Sequence, residues 1–100
     1  MIYITQLIYV IEGKENIFHQ FEEVAIPLIA KYNGQLLLRV RPNDTTTIQA
    51  SIESPYEIHL VSFASENDLN NFKQDEERQK FLHLKDASIQ TVLMIKGEKI

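Results

Sequence analysis

The hydrophobic pattern changes period several times along the chain, and each change marks an element. Residues 2–11, IYITQLIYVI, are rich in Ile, Val and Tyr and read as a strand ending at Gly13. From Lys14 the spacing lengthens. Ile17, Phe18, Phe21, Val24, Ala25, Leu28, Ile29 and Tyr32 recur at helical intervals and predict an amphipathic helix with a broad apolar stripe. Pro27 lies inside it and predicts a kink or a loosened turn. Asn33-Gly34 supplies the left-handed stop signal.

QLLLRVRP, residues 35–42, follows as a strand over 35–41. Strict alternation puts Leu36, Leu38 and Val40 on one face and Gln35, Leu37, Arg39 and Arg41 on the other. PNDTTT reads as a turn, and TIQASI as a short β extension. YEIHLVSF, 56–63, is the third strand. Ser65 then N-caps a helix with Glu66 and Asp68 in its first turn. Its stripe of Leu69, Phe72, Phe81, Leu82 and Leu84 is interrupted near QDEE, as two short helices would be. SIQTVLMIKG closes the chain as a strand.

The order is β-α-β-β-α-β, a ferredoxin-like α+β plait in one domain spanning 1–100, with a four-stranded antiparallel sheet and both helices on one face. The other face should be polar if it meets water. It is not: Tyr3, Leu7 and Tyr9 oppose Ile2, Ile4 and Ile8, and the third and last strands are also apolar on both sides. A second copy packed face to face covers such a sheet economically, so a homodimer is expected.

Composition narrows the chemistry. A net charge of −4 with no basic cluster argues against a nucleic-acid partner. No cysteine is present, which removes disulfides, thiolate catalysis and cysteine metal sites. The apolar start lacks a basic n-region and a cleavage site and is too short to span a membrane, so a cytoplasmic protein with no membrane partner is expected. There is no phosphate loop, nucleophile elbow or His-Glu-x-x-His motif.

Three segments carry a family resemblance: IPLIAKYNGQLLLRV at 26–40, HLVSFASENDLNNF at 59–72 and QDEERQKFLHL at 74–84. Together they resemble the dimeric α+β barrel superfamily and, within it, a family of short bacterial proteins known by a domain-of-unknown-function label. Glu76 stands where that family usually has Pro, and Ser62 where it often has an acid before the strand-ending Phe63. The resemblance implies a dimer with a central barrel and a cavity between helices and sheet in each subunit. It also implies relatives as varied as cofactor-free monooxygenases acting on aromatic polyketides, isomerases and haem-degrading enzymes, so fold alone does not assign function.

The candidate residues are few. His59 interrupts an apolar strand and is the candidate general base, although a histidine so placed is more often a locally bonded core residue. Arg39, on the face expected to meet the partner, would stabilise developing negative charge, or pair with Glu53, Glu57 or the partner chain. Arg41, Tyr3 and Tyr9 are candidate ligand contacts. His19 with Glu15 and Glu23 has metal-ligand spacing but lies off the apolar stripe and reads as a solvated face, and His83 reads as structural. No metal and no cofactor are expected. Two functions stay open. One is a small enzyme, monooxygenase- or isomerase-like, acting on a small hydrophobic oxygen-bearing molecule. The other is a non-catalytic ligand-binding or structural dimer.

Overall fold

In the computed structural model, which describes residues 1–100, the chain runs β1 (Ile2–Val10), α1 (Glu15–Leu28), β2 (Gly34–Val40), β3 (Glu57–Phe63), α2 (Glu66–Lys73), α3 (Glu76–Lys80), α4 (Leu82–Ser88) and β4 (Ile89–Gly97). The strands form one antiparallel sheet in the order β2-β3-β1-β4. This is the ferredoxin-like topology that the element order predicts. The second helical unit is split three ways. Ser65 caps α2 by accepting the Asp68 amide at 3.1 Å, and Asp75 caps α3 by accepting the Arg78 amide at 3.0 Å.

The helix-facing layer of the core is built from Ile4, Ile29, Val61, Phe63 and Leu69. Phe18 is fully buried from α1 and meets Tyr56 edge-on, with ring centroids 5.8 Å apart. Each such side chain contributes about 2–3 kcal/mol by leaving water. Pro27 sits in the last turn of α1, and the α-helix relaxes immediately into a 3₁₀ turn, Ile29–Tyr32. Asn33 ends that turn in the left-handed region, at φ 58°. Gly34 opens β2 where a Cβ would lie 2.7 Å from Ile29 Cγ2 and from Phe63 Cε1, so a close approach of backbone to core requires the glycine.

Two irregularities alter the sheet's faces. In β2, Leu36 pairs with Val61 but Leu38 pairs with Leu60, leaving Leu37 as an extra residue. Beyond this bulge the alternation is inverted. Leu36 faces the helices, whereas Leu38 and Val40 face away, and Arg39, opposite His59, returns to the helix side. The strict alternation predicted from the sequence therefore fails, and the arginines lie on the helix side rather than on the face expected to meet a partner. A similar shift at Gln90 in β4 aligns Ile89 with Val10 and Val92 with Ile8, both on the helix side.

The segment TIQASI is not a strand. Residues 41–56 form an irregular connection pinned by an Asn43 turn and by Tyr9, whose hydroxyl donates to the Glu53 carbonyl at 2.8 Å. The face of the sheet away from the helices carries Leu38, Val40, Leu93 and Ile95, each 39–54% exposed. No helix is long and apolar enough to cross a membrane.

Candidate active site

Glu57 begins β3 on the helix side and is only 1% exposed. A carboxylate so buried needs full compensation, and three side chains supply it. Arg39 donates through Nε at 2.8 Å and Nη2 at 3.1 Å. Arg41 donates through Nε at 2.8 Å. His59 Nε2 stands 2.7 Å from Oε1. Burial works against the charge, but the hydrogen bonds from Arg39, His59 and Arg41 together outweigh it and hold the Glu57 carboxyl down at about 2.

An ionised carboxylate only accepts, so the Glu57–His59 contact puts the imidazole proton on Nε2 and leaves Nδ1 with the lone pair. Burial lowers the pKa of His59 more than its contact with Glu57 raises it, so the ring is neutral at neutral pH. Nδ1 lies 3.9 Å from Oε2 of Glu22, too far for a hydrogen bond. Glu22 projects from the middle of α1 and is 8% exposed, and burial pushes its carboxyl up to about 7. Sequence reasoning missed this residue. The signal was present: Glu22 falls four residues after Phe18 and four before Ile26, inside the apolar stripe.

His59 and Glu22 both line a cavity of about 400 Å³ between the helices and the sheet. Of its 20 lining residues 14 are hydrophobic, so polar groups are few and their placement sets orientation. Gln6, Lys73, Arg78 and Lys85 are the others. Arg78 reaches the cavity from the short helix α3, a position that the weak periodicity there did not reveal. Its guanidinium lies 5.1 Å from the Phe72 ring centroid and 5.7 Å from that of Phe21.

The structure thus brings Arg39, Arg41 and His59 together around Glu57, but only His59 of these lines the cavity. Arg41 reaches the outer edge, where its guanidinium lies 5.0 Å from the Tyr56 ring centroid and donates to His19 Nε2 at 3.0 Å. His19, whose Nε2 is also 2.7 Å from the Tyr56 hydroxyl, is therefore half-buried and bonded rather than part of a solvated face. Tyr3 and Tyr9 are not in the cavity. Tyr3 pairs with Ser62 on the sheet face away from the helices, and Tyr9 is tied to Glu53. No three His, Asp or Glu side chains gather at metal-binding distances.

No family model matches the sequence, and no curated protein matches it. Solved structures do. A protein of unknown function from Rhodopseudomonas palustris superposes with a TM-score of 0.83 at 9% identity, over 99% of this chain and 82% of that one. A nipsnap family protein of unknown function from Agrobacterium tumefaciens gives 0.70 at 17% identity, over 97% and 86%. A dimeric protein of unknown function with a ferredoxin-like fold from Bacteroides fragilis gives 0.70 at 13% identity, over 98% and 95%. At these identities the likeness establishes the fold: this chain is a ferredoxin-like α+β domain.

Proposed function

We propose that the chain is a small proton-transfer enzyme, isomerase-like, acting on a small hydrophobic molecule that carries an oxygen function. The observation behind it is the placement of His59 at the cavity wall, between an ionised carboxylate and a carboxyl pushed up to about 7. Burial keeps His59 as a free base and Glu22 as a proton donor, a pairing that suits proton transfer.

His59 Nδ1 takes a proton from the carbon next to a carbonyl. The C–H electron pair moves to form an enolate, whose oxygen carries the negative charge. Glu57 stabilises the imidazolium and fixes the ring, as a carboxylate behind a histidine does in a catalytic triad. Glu22, in its protonated form, returns a proton to carbon at a second position and regains one from His59. Of the three cations lining the cavity, Lys73, Arg78 and Lys85, Arg78 serves the enolate oxygen. Arg39 and Arg41 are positioning residues: they hold Glu57 ionised and so keep the proton of His59 on Nε2.

The enzyme acts as a homodimer. The exposed apolar sheet face supports this, as does the dimeric state given for the Bacteroides fragilis protein of the same fold.

The test is deuterium uptake from D2O, followed by NMR, into a panel of small hydrophobic ketones and lactones. Wild-type protein is expected to speed exchange for at least one of them, and His59→Ala to cut that rate about a hundredfold or more. Exchange that survives His59→Ala unchanged removes the reading.

A further inference from the structure

The polar part of the cavity wall is dominated by cations. Lys73, Arg78 and Lys85 all line it, and none of them forms an ion pair, although the chain carries a net charge of −4. The Arg78 guanidinium has one weak tie, from Nη1 to the Lys73 carbonyl at 3.2 Å, and its Nε is buried with no hydrogen-bond partner. A charged donor left unpaired in a protein interior is costly.

The acids nearby do not relieve it. Asp75 is occupied by Lys31, Tyr32 and the Arg78 backbone amide. Glu22 is pushed towards its neutral form. Burial lowers the pKa of Lys85, and the nearby Arg78 lowers it further, so these two cations share one poorly hydrated region.

We propose that this cavity binds an amphipathic monoanion, a hydrocarbon or aromatic body bearing one carboxylate, with the carboxylate on Arg78 and Lys85. The planar guanidinium matches a carboxylate in two parallel hydrogen bonds, and Arg78 has an unused Nε to offer. The apolar lining from Ile4, Ile8, Val61 and Leu69 takes the body. A phosphate dianion fits less well, because so apolar a lining offers too few donors to replace its hydration. The inference rests on the reading of this cavity as the ligand site. It does not rest on His59 as the base.

The experiment is isothermal titration of the full chain with decanoate, decanol and decylamine. Decanoate is expected to bind at least about tenfold more tightly than decanol, and decylamine not at all. Arg78→Met should abolish the preference for decanoate over decanol. Lys85→Met should reduce the preference and serves alone if Arg78→Met does not fold. Equal affinity for decanoate and decanol, no decanoate binding at millimolar concentration, or a preference that survives Arg78→Met would each overturn the inference. His59→Ala separates the two readings. If it leaves both decanoate binding and deuterium exchange intact, only the catalytic reading is lost. If exchange depends on His59 but decanoate does not bind, only the anion inference is lost.

Discussion

His59 of the sheet and Glu22 of the overlying helix face one another with Nδ1 and Oε2 3.9 Å apart, both less than a tenth exposed. Neither is free to hydrate, and each is shifted away from its charged form, chiefly by burial. The pair spans the two layers of the fold, so the same packing that builds the core sets its titration.

Glu22 makes the first prediction. Its folded pKa of about 7 lies above its unfolded value of 4.5. The native state therefore holds the proton more tightly, and the stability this confers is fully present below about pH 4.5 and lost as pH rises through about 7. His59, with a lowered pKa, works in the opposite sense and partly masks the effect in wild type. Comparison with Glu22→Gln isolates it. The variant is expected to gain about 3 kcal/mol relative to wild type between acid and mildly alkaline pH, measured by urea denaturation at about pH 4 and about pH 8. A difference that does not change with pH would mean that Glu22 titrates normally.

Glu57 makes the second. Removing a buried carboxylate from three donors should cost about 3 kcal/mol in Glu57→Ala. Arg41→Ala should cost no more than about 1 kcal/mol, because the Arg41 side chain is half-exposed and Glu57 keeps its bonds to Arg39 and His59. The two variants also differ at the histidine. Without Glu57 the Nε2 proton loses its acceptor, so the imidazole signals of His59 in NMR should move to another tautomer mixture in Glu57→Ala and stay nearly unchanged in Arg41→Ala.

The elements were legible in the sequence because period and punctuation agree there: the Phe18–Phe21–Ala25 stripe, the Asn33-Gly34 stop and the Ser65 cap all fall where the structure has them. The faces of the edge strands were not. Leu37 and Gln90 each add one residue opposite a regular neighbour, and one residue is enough to invert a period of two. Nothing local distinguishes Leu37 from Leu36 or Leu38, since the bulge is fixed by pairing with β3. That error moved Arg39 and Arg41 to the wrong side, although Glu57, one of the partners the sequence offered them, is the acceptor they share. His59 was found because a histidine stands out in an apolar strand. Arg78 was not, because α3 is a single short helix between two breaks and has no readable stripe.

Gly34 is the most crowded glycine, and it makes the third prediction. Gly34→Ala pushes a methyl group against Ile29 and Phe63, two members of the core. Overpacking of this kind costs about 1–3 kcal/mol, which would lower the thermal midpoint by about 4–8 °C per kcal/mol in a chain this size. Gly97, with nothing near its missing Cβ, is the control, and Gly97→Ala should leave the midpoint within about a degree of wild type.

The open sheet face makes the last. Leu38 on one edge strand and Leu93 on the other are 51% and 49% exposed and sit on the side away from the helices. In a lone chain these residues meet water, and a charge there is cheap: Leu93→Lys would change stability by no more than about 0.5 kcal/mol. In a dimer packed through this face the same lysine is desolvated at the interface. A desolvated, unpaired charge weakens association by several kcal/mol. Sedimentation equilibrium should therefore find wild type at twice the 11.6 kDa chain mass and Leu93→Lys at the chain mass. The far-ultraviolet circular dichroism of the variant should remain that of a folded α+β chain. Wild type sedimenting as a monomer at micromolar concentration would leave the apolar face without a partner copy. A Leu93→Lys protein that stays dimeric would place the interface elsewhere.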